Sequence, residues 1–425
     1  MAPSAHRVAS LPATDDAGLV PVAIAFVTFG MFWGSWAVAV ADVRRTFSLN
    51  DAQLGLLLAV AIGVAGLTGG FVGHRAEYWG TRRMLFASLL VWSFLLVAAG
   101  LARPWPVFAA VFVACEVAAG CVDTAMNAAS ARRLDGRPGD LVRFHAFFNS
   151  GAVGGALVAA VLLHAGVSWR FLWPVLAVVV AALAFWTRAH VSPTTPPAGG
   201  RHVAAVAGSA VPTAPVPLAA EADRTSGSGA RLGQLARLRT DGLLLLLLVF
   251  ALAEVTEGGV DTWGVLFLRT RLAAGILLGA GAYAIGQSMA AASRGAGGRF
   301  LGRLSPRRAL IVGGLVAGSG LLLVALSPAV GVAAVGLALG AAGASLFWPL
   351  VMSDVVQRAS RTTSAVGAFT AAGYVGWVAS APVVGWVSDA WGPSKGLLVL
   401  AAMALLVALI SFVRRDRSPR PTGSE

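Results

Sequence analysis

The chain has 425 residues, 57% of them hydrophobic and only 12% charged, with a mean hydropathy of +0.77. Soluble globular proteins carry roughly 25% charged residues, so this composition excludes a soluble enzyme, and its hydrophobicity excludes general disorder. The net charge of +13 would point to nucleic acid in a soluble protein, but here the basic residues are all Arg except Lys395 and lie in short stretches between apolar runs, which is a membrane pattern with no nucleic-acid partner.

Residues 1–18 form a polar tail without the pattern of a cleavable signal peptide. Twelve apolar segments follow, most of about 20 residues, enough to cross a hydrocarbon core of roughly 30 Å as a helix. Segments 1 to 6 lie near 19–41, 52–73, 84–102, 106–130, 144–165 and 171–189. Residues 190–241 then read as a linker, with Pro193, Pro196, Pro197, Pro212, Pro215 and Pro217 among Ala, Gly, Ser and Thr. Its end, Arg231–Thr240, alternates Leu and Arg and suggests a short basic helix on the membrane surface. Segments 7 to 12 lie near 242–268, 273–293, 309–326, 329–353, 365–388 and 396–413, ahead of a tail at 414–425. Pro349 and Pro382 are expected bend points inside segments 10 and 11. Cys115 and Cys121 share segment 4, point apart, and are expected to remain unbridged.

The arginines set an orientation. With the N-terminus inside, the inner stretches hold 25 basic residues and the outer loops 7, so both tails and the linker are expected on the cytoplasmic side of a bacterial inner membrane. The two halves, 19–189 and 242–413, also repeat. Gly73-x-x-x-Glu77-Tyr78-x-Gly80-x-Arg82-Arg83 follows segment 2, and Gly298-x-x-x-Gly302-Arg303-x-Ser305-x-Arg307-Arg308 follows segment 8. Ala146-Phe147-x-x-x-Gly151-x-Val153-Gly154 on segment 5 recurs as Ala368-Phe369-x-x-x-Gly373-x-Val375-Gly376 on segment 11. The expected fold is an all-α membrane protein of twelve transmembrane helices in two parallel six-helix repeats, the plan of a rocking secondary transporter.

The loop from Gly73 to Arg83 resembles the signature loop of the major facilitator superfamily, with Glu77 in place of its Asp and Tyr78 in place of its first Arg; the second-half copy has Gly302 at the acidic position. Asp123-Thr124-Ala125-Met126-Asn127 and Phe148-Asn149-Ser150 resemble motifs of the fucose permease family. Ser35-Trp36-Ala37, Leu49-Asn50-Asp51-Ala52-Gln53-Leu54-Gly55 and Gly373-Tyr374-Val375-Gly376 resemble its bacterial relatives. Two polar residues of those families, an acid and an Arg in helix 1, fall near Ala37 and Ala39 here. The resemblance implies a polar central site lined by segments 4 and 7.

A carboxylate in hydrocarbon costs several kcal/mol, so acids within the spans are functional candidates. Glu116, Asp123 and Asn127 share one stripe of segment 4, at about 0°, −20° and +20° for a turn of about 100° per residue. Glu254, Glu257 and Asp261 lie within an arc of about 60° on segment 7. No Lys or Arg falls in the middle of any segment, so burial and mutual repulsion favour carboxyls that hold a proton at neutral pH, which is what proton coupling requires. Asn149 and Gln287 offer hydrogen bonds to a hydroxylated solute or between helices. Trp33, Trp36, Trp263 and Trp348 suit an apolar ring face or ordinary packing, and most other Trp residues suit the membrane interface. His145 reads as an interfacial residue in contact with water.

The Gly73/Glu77/Gly80/Arg82/Arg83 loop, with Arg303, Arg307 and Arg308 in its second copy, reads as a cytoplasmic latch. Glu77 is expected to meet the start of segment 11 near Thr363 and Ser364, with Arg132 and Arg133 completing the ion pairs. There is no phosphate loop, zinc motif or metal set, so neither catalysis nor a cofactor is expected. The leading reading is a monomeric, proton-coupled carrier of a small neutral or cationic polar solute, sugar-like ones included. The alternatives are a proton-driven exporter of drug-like metabolites and a non-transporting membrane sensor.

Overall fold

A computed structural model describes residues 18–134, 144, 146–191, 238–239, 242–300, 305–358 and 362–414. Regular structure among them is helical throughout. The first half contains α1 (Leu19–Thr46), α2 (Asp51–Trp79), α3 (Thr81–Leu101), α4 (Trp105–Arg133), α5 (Ala146–His164), a 3-10 turn at Trp169–Phe171, and α6 (Leu172–His190). The second half contains α7 (Leu244–Thr270), α8 (Ile276–Phe300), α9 (Pro306–Leu326), α10 (Val330–Ala344), α11 (Phe347–Arg358), α12 (Thr362–Trp391) and α13 (Pro393–Val413). Among the described residues, nine stretches are long and apolar enough to cross a bilayer, and Ile276–Ala292 and Val330–Ala344 are apolar but shorter. α7 has the length, at 27 residues, but carries three acids.

One expectation is corrected. Segment 10 is two helices, α10 and α11, parted at Ser345 and Leu346. Pro349 has no N–H to bond the carbonyl of Ser345, four residues before it, so the helical ladder is interrupted there. Pro382, by contrast, is carried inside the continuous helix α12. Both tails and nearly all of the 190–241 linker, including most of the expected basic helix, lie outside the described residues.

The internal repeat is visible in the packing. In the first half α1 packs on α5, α2 and α3 pack on α4, and α3 packs on α6. In the second half α7 packs on α12, α8 and α9 pack on α10, and α9 packs on α13, the same set displaced by six segments. The repeated glycines explain two of these contacts. A Cβ at Gly151 would overlap the Val27 carbonyl of α1, and one at its counterpart Gly373 would lie 2.5 Å from the Phe250 ring of α7. The halves meet where α2 lies on α12, α5 on α8, and α1 on α7.

The Leu49–Gly55 stretch has a physical reading. The Asn50 Oδ1 accepts from the Gln53 N–H at 2.8 Å and the Gln53 Oε1 accepts from the Asn50 N–H at 3.1 Å, a reciprocal cap on α2. Asp51 pairs with Arg44 at 3.0 Å, and Gly55 leaves room for the Ala381 carbonyl of α12.

Candidate solute and proton site

On α4 the Asn127 Nδ2 donates to both the Oδ1 and the main-chain carbonyl of Asp123, each at 2.9 Å. Both side chains are buried, Asp123 completely. This pair follows from the four-residue spacing, which sets the amide one turn beyond the carboxylate. Glu116, two turns back on the same stripe, is also buried, and its Oε1 has no hydrogen-bond partner among the described residues. Asn149 on α5 is buried with neither amide atom partnered among the described residues.

On α7, Glu254 and Glu257 are buried and Asp261 is half-buried. The Gln287 Nε2 of α8 donates to the Asp261 Oδ1 at 2.8 Å, so these two candidates meet. Tyr283, one turn earlier on α8 and buried, is within electrostatic reach of Asp261.

Three aromatic residues that sequence reasoning passed over join these clusters. Besides Tyr283, Tyr374 of α12 crosses to the first half. Its hydroxyl donates to the Ile62 carbonyl and fills the notch left by Gly66, within electrostatic reach of Glu116 and Asp123. Trp377, one turn further on α12, meets Trp33 of α1 edge-on, with centroids 5.9 Å apart and planes at 88°. The family-like Gly373-Tyr374-Val375-Gly376 stretch was the available signal for Tyr374. Nothing in the spacing distinguished Trp377 from the many packing tryptophans.

The other tryptophan candidates sit elsewhere. Trp36 is in the aromatic core of the first half, 4.6 Å from Phe112 and stacked 5.9 Å from Trp173. Trp263 lies toward the far end of α7, beside Gly385 of α12. Trp348 meets the Phe250 ring at 6.5 Å.

At the end where α1 and α7 finish, the Arg269 guanidinium reaches across the halves. It donates to the Asp42 Oδ2 at 2.7 Å and to the Val38 carbonyl at 2.6 Å. Asp42 also faces Arg45 at 3.3 Å. A cleft of about 310 Å³ adjoins this group, lined by Asp42, Arg45, Trp169 and Ile276 and away from the acid stripes.

Of the expected latch, Gly80 has φ 77°, so the turn from α2 into α3 requires the left-handed conformation that glycine permits. Arg82 is half-buried and Arg83 and Arg308 are exposed. The side chains of Glu77, Arg132, Arg133, Thr363 and Ser364, and residues His145 and Arg303, lie outside the described set, as does the surround of Gly73. Arg307 donates to the carbonyls of Ser411 and Phe412 at the end of α13. A neighbouring cluster went unread in the sequence: buried Asp354 of α11 accepts from Arg358 at 2.5 Å and from Arg414 at 2.6 Å.

The architecture is two packed helical halves with buried acids on α4 and α7, and the comparisons place it. Residues 22–381 match the model of the Major Facilitator Superfamily, and the chain belongs to that family of membrane transporters. It is 24% identical over 407 residues to "Membrane protein MosC" of Rhizobium meliloti, covering 95% of this chain and 92% of that protein. In fold it is similar to the nucleoside transporter NupG, with a TM-score of 0.71 at 14% identity, covering 94% of this chain and 100% of that one. It is likewise similar to a bacterial homologue of the human lysosomal transporter Spinster, with a TM-score of 0.70 at 15% identity over 93% and 95% of the two chains.

Proposed function

We propose that this protein is a proton-coupled secondary carrier of a small neutral or cationic polar solute, working by alternating access in the bacterial cytoplasmic membrane with both tails inside. Its functional units are a six-helix half at 19–189, a cytoplasmic linker at 190–241 and a six-helix half at 242–413. The observation that carries the reading is the buried Asp123–Asn127 pair, in which an amide holds a carboxyl on one stripe with the buried Glu116. A carboxyl held by an amide tolerates both protonation states, because the amide N–H serves the anion and the amide carbonyl can accept from the neutral acid. Such a group moves a proton when the two halves rock about it.

In this reading the Asp42–Arg269 bridge closes the external side. Opening outward exchanges that bridge for water on Arg269, while Arg45 remains beside Asp42. Glu77 and the signature loop close the internal side in the alternate state.

Reconstitution tests the reading. Purified protein in liposomes should accumulate a radiolabelled polar solute when a pH gradient is imposed and lose that accumulation when a protonophore collapses it. Solute movement indifferent to the pH gradient would remove proton coupling, and movement of no solute in any gradient would remove the carrier reading.

A further inference from the structure

We propose that Trp33 and Trp377 form a central clasp that takes a ring-shaped solute bearing hydrogen-bond acceptors, the two indoles closing on each other when the site is empty. The inference deepens the carrier reading and rests on it for the location of the path.

Trp33 lies near the middle of α1 (Leu19–Thr46) and Trp377 near the middle of α12 (Thr362–Trp391), so both sit at the centre of their spans. They come from opposite halves and touch each other edge-on. A contact of this kind has to break whenever the halves separate at that level. Both indoles are more than nine-tenths buried, with exposures of 8% and 2%. The Nε1 donor of each has no acceptor among the described residues. A buried N–H without an acceptor is costly, and buried indole N–H groups usually find a partner. Trp36, Trp92, Trp173 and Trp263 share this lack among the described residues, but Trp33 and Trp377 meet across the two halves, where acceptors can arrive with a solute.

The surroundings support a built site. A Cβ at Gly258 would lie 2.9 Å from Trp377 Cδ1 and 2.8 Å from the Ser380 Oγ, so the glycine lets the indole lie directly on α7. On the first-half side, α1 packs on α5 and α4, the helices that carry the unpartnered Asn149 amide and Glu116 oxygen. Two flat indoles present faces and edges to whatever separates them. A compact ring lies against such a face with little conformational entropy to lose, whereas an open chain with the same hydroxyls must first be ordered.

The test uses the full-length protein in nanodiscs, labelled with 15N at tryptophan. The indole N–H resonances of Trp33 and Trp377 are assigned from Trp33→Phe and Trp377→Phe, which keep a ring and remove the donor. D-glucose, L-fucose and uridine serve as ring probes, and sorbitol, the open-chain counterpart of glucose, is the control. The expected result is that at least one ring probe shifts both resonances downfield, sorbitol shifts neither, and each Phe variant weakens that probe about tenfold, as loss of one well-placed hydrogen bond does. Absence of any shift with all three ring probes overturns the clasp. So does equal binding of a ring probe by wild type and both variants, or equal response to sorbitol and glucose. Proteoliposome uptake of the bound probe separates the two readings. A probe that is carried with unchanged KM in both variants overturns the clasp and leaves the carrier standing. A probe that shifts both indoles but is never carried keeps the clasp and overturns the carrier.

Discussion

Asn127 makes two hydrogen bonds to the residue one turn before it, and this local arrangement determines how Asp123 behaves when altered. Asp123→Asn keeps the shape and the capacity to bond Asn127 while removing the titrating proton. The variant should still bind solute and exchange it across a membrane without a gradient, yet fail to concentrate it in a pH gradient. Accumulation at the wild-type level in proteoliposomes would move the coupling proton to the Glu257 and Asp261 side of the site. Gly151 makes a second prediction at this scale. Gly151→Leu drives a side chain into the Val27 carbonyl of α1, and overpacking of that kind costs roughly 1–3 kcal/mol or more. The variant should lower the midpoint of thermal unfolding measured in detergent, and Gly154→Leu, at a position with open space beyond it, should not.

Among the elements, α1 and α7 are tied at one end by a bridge whose side chains are 17% and 6% exposed. An ion pair this protected is screened less than a surface pair, and losing one partner leaves the other charge uncompensated. Asp42→Asn should therefore shift the population toward outward-open states, raising the rate at which an externally added thiol reagent labels a cysteine placed at Ser35. The exchanged pair, Asp42→Arg with Arg269→Asp, should recover much of the protection; labelling that stays slow in Asp42→Asn would exclude the bridge from the gate. The end of α2, which carries Glu77, makes the converse prediction. Glu77→Gln should weaken internal closure and raise labelling from the cytoplasmic side, and unchanged accessibility would remove Glu77 from the latch. The same level shows how the bend expected at Pro349 is realised: the hydropathy of segment 10 is continuous, and the backbone path shows Ser345 and Leu346 leaving the helix.

For the molecule as a whole, the charge inventory of the membrane centre sets what can pass. Five acids occupy the middle regions of α4 and α7, while Arg269, the cation that joins the two halves, sits at the end of α7 and is committed to Asp42. The sequence places no Lys or Arg in the middle of an apolar segment, so an organic anion would shed its water there at a cost and would meet any ionised carboxyl with repulsion. Phosphate esters and dicarboxylates should therefore neither compete with a transported polar solute nor be taken up by purified protein. Uptake of a labelled dicarboxylate would refute the prediction.

The sequence by itself determined the class of fold and supplied the candidate residues of the site. Apolar runs of bilayer length, arginines on one side and two offset glycine motifs admit few architectures, because backbone in hydrocarbon must bond within its own helix. Helical spacing also placed Glu116, Asp123 and Asn127 on one stripe, since that geometry is local. Only the tertiary structure decided which helices face one another. It brought Gln287 to Asp261 across 26 residues, Tyr374 to Ile62 across 312, and Arg269 to Asp42 across 227. It also separated Trp33, at the junction with Trp377, from Trp36, three residues later and inside the first-half core. Those outcomes depend on how two six-helix units dock, and docking is governed by shape and small-residue contacts distributed over many helices. No periodicity within a single helix encodes it.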